Sequence, residues 1–123
     1  MKLSDLKYSA EHEWVAIDGD AVTVGITDYA AKALGDVVFD DVPEVGSEVS
    51  AGSAIGEVES TKSVSDLFSP VTGTVSEVNK AITESPELVN SDPFGQGWLF
   101  KVSSGQLGDD LMDRDAYLKL TAE

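Results

Sequence analysis

The chain has 123 residues, 41% hydrophobic and 25% charged, with eight basic side chains against 23 acidic ones and a formal charge of −15. That length suits one domain with its own core, and so large an acid excess argues against nucleic acid, because nothing would neutralise the phosphates. There is no cysteine, which excludes disulfides, thiol nucleophiles and thiolate metal sites, so any sulfur chemistry has to come from an attached group.

In chain order, Met1 to Asp5 has no apolar signal core and no apolar run is long enough to span a membrane, so a cytoplasmic location is expected. Glu13 to Ile17 and Ala21 to Ile26 read as two strands of a hairpin around the turn Asp18-Gly19-Asp20. Thr27-Asp28 offers an N-cap for a short helix, Tyr29 to Leu34, which Gly35 stops. Asp36 to Asp40 is the next strand, and Pro43 and Gly46 bracket a turn before the brief Glu48-Val49-Ser50. Ala54 to Glu59 and Val64 to Phe68 form a second hairpin. Pro70 and Gly73 mark a turn around Val71-Thr72, after which Thr74 to Asn79 alternates apolar and polar as a half-buried strand does. Ser85 to Asn90 has a cap-then-proline pattern for a short helical turn, and Gly97 to Val102 reads as a final strand.

Beyond Gly105 the spacing of Leu107, Leu111 and Met112 is helical, and Asp113 or Asp115 can cap Ala116 to Leu120. The expectation is one domain over residues 1–123, with a β body from about 6 to 102 and a helical appendage from about 106 to 122. Many short strands make it a mainly β protein, barrel or sandwich.

The second hairpin presents Lys62 at its tip, among Ser60, Thr61 and Ser63, with Glu57, Glu59 and Asp66 around it. Hairpin lysines ordinarily keep a sheet edge soluble. A lysine carried beyond the core is also a handle for covalent modification, and a poor enough spontaneous nucleophile that acylation calls for an enzyme. Catalytic constellations are missing. His12 is the single histidine, so no Ser-His-Asp or Cys-His set and no histidine-rich metal site can be assembled. Beside Glu13 and Trp14 it reads as structural. No glycine pattern makes a phosphate loop. A carrier or binding module fits better than an enzyme, with no catalytic residue and no metal ligand.

The chain resembles the glycine cleavage system H proteins. The resemblance runs from about Leu6 to Val102. It is carried by Tyr8 with Glu11-His12-Glu13-Trp14-Val15, Val24-Gly25-Ile26-Thr27, Leu34-Gly35-Asp36, Leu67 to Gly73, Leu88 to Pro93, and Gly97-Trp98. The lysine motif departs slightly: Glu59-Ser60-Thr61-Lys62-Ser63 stands where the family more often has Glu-Ser-Val-Lys-Ala.

That resemblance implies a lipoyl/biotinyl-type barrel-sandwich hybrid with short helices and a helical tail, and lipoate attached covalently to Lys62. It implies that Glu59 and Gly73, three before and eleven after the lysine, help the lipoylating enzyme recognise its substrate. It implies a non-catalytic shuttle that takes an aminomethyl group from the pyridoxal-phosphate glycine decarboxylase (P protein) to the aminomethyltransferase (T protein). Electrons then pass to dihydrolipoamide dehydrogenase (L protein). A lipoate ligase or a lipoyl/octanoyl transferase is the further partner. The arm of a loaded family member folds into a cleft, for which Glu13 and Asp66 are the expected contacts here. Charge favours a monomer, with no membrane or nucleic-acid partner. The competing readings are a lipoyl carrier serving sulfur oxidation or lipoate relay, the carrier domain of an oxo-acid dehydrogenase, a biotin carrier, and an unmodified interaction module. The methionines that typically flank a biotinyl lysine are missing.

Overall fold

A computed structural model describes residues 3–108 and 111–121. Among these residues, nine strands form two antiparallel sheets. The larger has the order β1 (Lys7–Tyr8), β2 (Glu13–Asp18), β3 (Ala21–Ile26), β9 (Phe100–Leu107), β8 (Val71–Val78), β5 (Glu48–Val49). The smaller is β4 (Val37–Asp41), β6 (Ala54–Ser60), β7 (Val64–Phe68). Side chains from both sheets, among them Val15, Val24, Val58, Leu67, Val75 and Phe100, share one buried core. The mainly β sandwich with short helices is thus the architecture the chain adopts.

Local chemistry accounts for the elements that position the site. The β2–β3 hairpin closes on Asp18 opposite Ala21, with Gly19 at φ 62 in the first central position, where a type II′ turn needs positive φ. Helix α1 (Asp28–Leu34) starts at Thr27, whose side chain accepts from the Ala30 N–H, and stops at Gly35, φ 79. Asn90, in the short helix α3 (Leu88–Ser91), clasps the end of α1: its amide donates to the carbonyls of Ala31 and Gly35 and accepts from the Val37 N–H. A further turn, α2 (Ala81–Glu84), packs Ile82 into the core; its four residues are too few to show a helical period.

Three expectations are corrected. Gly73 is not in a turn. β8 begins at Val71 and runs through it, because Val71 and Val75 are buried on one face while β9 and β5 pair on either side. The last strand starts at Phe100 and extends to Leu107, past the expected end at Val102, since Val71 and Thr72 supply partners for Leu107 and Gln106. The helical tail therefore does not begin near 106. Leu107 is in a strand, Met112 makes a bridge to Tyr8, and the helix α4 is confined to Arg114–Thr121. Residues 109–110 and 122 of the expected appendage lie outside the described residues. Asp113 does cap α4, its carboxylate accepting from the Ala116 N–H.

Asp40 stands apart from the apolar core it joins. It is 8% exposed, neither carboxylate oxygen has a hydrogen-bond partner among the described residues, and burial pushes its pKa up to about 7. No helix among the described residues is long and apolar enough to cross a membrane.

Candidate functional site

The β6–β7 hairpin closes with a two-residue loop, Thr61-Lys62, between Ser60 and Ser63. Ser60 braces it. The Ser60 N–H donates to the Ser63 carbonyl at 2.8 Å. The Ser60 hydroxyl donates to that same carbonyl at 3.1 Å and accepts from the Lys62 and Ser63 N–H groups at 3.2 and 3.1 Å. The Thr61 N–H reaches across to the Asp36 carbonyl, 3.0 Å away. Ser60 is thus a buried turn-former where sequence reading saw only a small filler.

The lysine side chain is exposed and leaves the loop over Gly35. A Cβ at Gly35 would lie 3.2 Å from Lys62 Cε. Gly35 therefore ends α1 and also keeps the ground under the lysine stem low. Its neighbour Asp36 anchors the tip, so the Leu34-Gly35-Asp36 stretch supports the hairpin from below.

A cleft of about 230 Å³ opens beside the hairpin, beginning at Ser63, the residue after the lysine. Ile26, Leu34 and Leu67 give it apolar walls, and Glu13 and Asp66 both line it. These two carboxylates, 53 residues apart in the chain, line one cavity. Asp66 is exposed, whereas Glu13 is only 2% exposed. Burial pushes the Glu13 carboxyl up to about pKa 8; the Ser9 hydroxyl, donating to Oε1 at 2.7 Å, only partly opposes this, and the charge of Glu11 adds to it.

Glu13 therefore links protonation to stability. Its folded pKa lies above the ordinary carboxylate value, so its contribution is fully present below about pH 4.5 and is lost as pH rises through about 8. Glu13→Gln, a neutral isostere, escapes that loss. Its stability relative to the unsubstituted chain is expected to climb between pH 5 and pH 8.5, by on the order of a few kcal/mol. Urea denaturation at the two pH values reads the difference; Asp40 titrates in both proteins and cancels. Parallel pH profiles would place the Glu13 carboxyl in water.

His12 also lines the cleft, and it is the sole non-glycine at positive φ among the described residues, at 72°. Its Nδ1 is 2.9 Å from the Tyr117 hydroxyl, which is 2.7 Å from Thr27 Oγ1. Thr27 is fully buried and its oxygen already accepts from Ala30, so its proton goes to Tyr117. Tyr117 then donates to Nδ1, which assigns the histidine proton to Nε2. Burial lowers the His12 pKa, in keeping with a neutral ring. The expected structural role for His12 holds in part: it ties α4 to the cap of α1, and it does so at the cleft wall.

The remaining site residues separate. Glu59 is exposed on β6, next to the loop. Gly73 belongs to the other sheet, opposite Val49, where the β8–β9 register shifts between Thr72 and Thr74, as at a bulge. Trp14 and Trp98 pack in a second apolar cluster with Tyr8 and Tyr117 and do not line the cleft. Sequence reasoning passed over Ser9, Tyr117 and the apolar cleft walls. The Tyr117 link spans 105 residues, and no local pattern announces it.

Comparison with known proteins gives a consistent result. Residues 6–123 match the family model described as glycine cleavage H-protein. The glycine cleavage system H protein of Beutenbergia cavernae is 60% identical, over 97% of this chain and 95% of that one. The Clavibacter sepedonicus protein is 58% identical, over 98% and 97%. A mitochondrial H protein of Arabidopsis thaliana is 54% identical, over 98% of this chain and 79% of its own. The crystal structure of a glycine cleavage system H protein from Mycobacterium marinum superposes with a TM-score of 0.92 at 45% identity, covering 98% of both chains.

Proposed function

The chain belongs to the glycine cleavage H-protein family, and from that premise we propose that it carries its lipoyl arm as an amide on Lys62. Lipoyl carriage in the glycine cleavage system is the family's function, with the P, T and L proteins as its partners. When attached, the lipoyl group supplies the sulfur chemistry that a chain without cysteine lacks. One observation carries the assignment to Lys62: an exposed lysine at a turn whose backbone is held by Ser60 and Asp36, with an apolar cleft starting at the next residue.

The residues fit such a group. Gly35 leaves room for the stem, Ile26 and Leu34 offer apolar surface, and Glu13 and Asp66 can receive a cationic amine in a partly desolvated place. The chain's part is to present, shelter and release, and none of its residues is assigned a catalytic step. Glu59 beside the loop supports its role in recognition by the lipoylating enzyme. Gly73, in β8 where the register with β9 shifts, is the second recognition position in this reading. A single carrier domain, a monomeric state and a cytoplasmic location complete the reading.

Peptide mapping of protein purified from its own cells tests it. A single lipoyl-sized addition on Lys62 is expected, together with glycine–bicarbonate exchange when a glycine decarboxylase is supplied. A biotin-sized addition, or an unmodified Lys62 in cells that lipoylate other proteins, overturns the assignment.

A further inference from the structure

We infer that the outer face of the lysine-bearing sheet is the docking surface for the enzyme that acylates Lys62, with Phe39 and Val64 as its apolar contacts. The inference rests on Lys62 being the acylated residue. Register defines the face. Phe39, Glu59 and Val64 lie side by side across β4, β6 and β7, and Asp41, Glu57 and Asp66 form the next row on the same side. All six are exposed, whereas Asp40 and Val58, one step along their strands, are buried on the opposite face.

Phe39 is 53% exposed and Val64 56%, and Val38, at the β4 register shift, is 50% exposed. These are three of the eight large apolar side chains left exposed among the described residues, gathered at one end of one small sheet. Isolated exposed apolar residues need no explanation, but a cluster beside a modified residue does. Its position is specific: Glu59 opposite Val64 is the last pair before the loop that carries Lys62.

The occupant follows from reach. The acylating enzyme must bring an activated acyl donor, an acyl-adenylate or acyl thioester, to Nζ. There the amine displaces the adenylate or thiol and gives up a proton. Its rim therefore rests on the surface around the loop. Phe39 and Val64 flank Glu59 on both sides, so covering them removes water from around the carboxylate and strengthens its pairing with a basic group. Asp41 and Glu57 extend the negative charge behind it. The partner surface is an apolar depression bordered by lysine or arginine side chains.

The unacylated chain, incubated with purified lipoate ligase or octanoyl transferase and followed by intact mass, tests this. Phe39→Thr with Val64→Thr keeps strand-compatible residues; KM for the carrier is expected to rise about tenfold or more, with kcat within about twofold. Asp41→Lys with Glu57→Lys is expected to raise KM and to flatten its dependence on salt. Thermal unfolding and the two single variants, Phe39→Thr and Val64→Thr, guard against misfolding. Once driven to full acylation, both double variants are expected to support normal glycine–bicarbonate exchange. Unchanged KM in both overturns the inference, as does an equal loss in the exchange assay, which would hand the face to the decarboxylase. An unsubstituted chain that is not acylated on Lys62 sinks the attachment site itself, a separate failure.

Discussion

A Lys62→Arg chain is expected to emerge from cells without an acyl group and to support no glycine–bicarbonate exchange, while unfolding at the same temperature as the parent. The guanidinium is always protonated and offers no amine for an amide bond. The lysine side chain projects from the loop over Gly35. It is exposed, and the loop is held through the backbone N–H of Lys62, which arginine retains. The stability change should stay within about 0.5 kcal/mol, as for surface substitutions generally. Intact mass, exchange activity and a melting curve on one preparation decide the matter. Residual exchange would mean that the arm sits on another of the six lysines, 2, 7, 32, 80, 101 or 119.

Gly56→Ala should do the reverse, breaking the fold that holds the lysine. A Cβ on Gly56, in β6, would run into the carbonyl oxygen of Asp41 in β4, with the Asp41 carbonyl carbon 3.1 Å and Val42 Cα 3.6 Å away. All three are backbone atoms at the end of β4 and just beyond it, and they cannot turn aside as a side-chain tip would. Strand separation of this kind costs about 3 kcal/mol or more, which for a domain of this size lowers Tm by roughly 10 °C. Acylation should slow too, because moving β4 disturbs both the Asp36 anchor and the row containing Phe39. The control is Gly19→Ala. Its Cβ would meet nothing within 4 Å, so only the strain of φ 62 remains, about 1 kcal/mol. Equal melting points for the two variants would show that β4 and β6 are not so closely set.

The features legible in the sequence were those written locally. The β2–β3 hairpin, the Thr27 and Gly35 caps and the lysine hairpin each have their signal within a few residues. The misread features depended on distant partners. Gly73 looked like a turn glycine because Pro70 lies nearby; pairing with β5 and β9 on both sides makes it part of a strand. Strand β9 outran its expected end because β8 was there to pair with it. The resemblance placed Glu13 and Asp66 in a cleft, but not the burial of Glu13, since a glutamate at a strand start is usually exposed. Here β1 and β3 flank it and Ser9 holds it. The apolar row on the lysine sheet was likewise invisible before the register was known.

The buried Glu13 has one more consequence. With its pKa near 8, this carboxyl is mostly protonated at neutral pH. A cationic cargo that settles beside it favours the ionised form, so arrival is coupled to expulsion of a proton. On the proposed docking of a loaded arm, affinity for its ammonium rises with pH up to about 8 and weakens in more acidic surroundings. In that reading, cargo without a positive charge gains nothing from this exchange, and a bare arm would have no such hold to overcome.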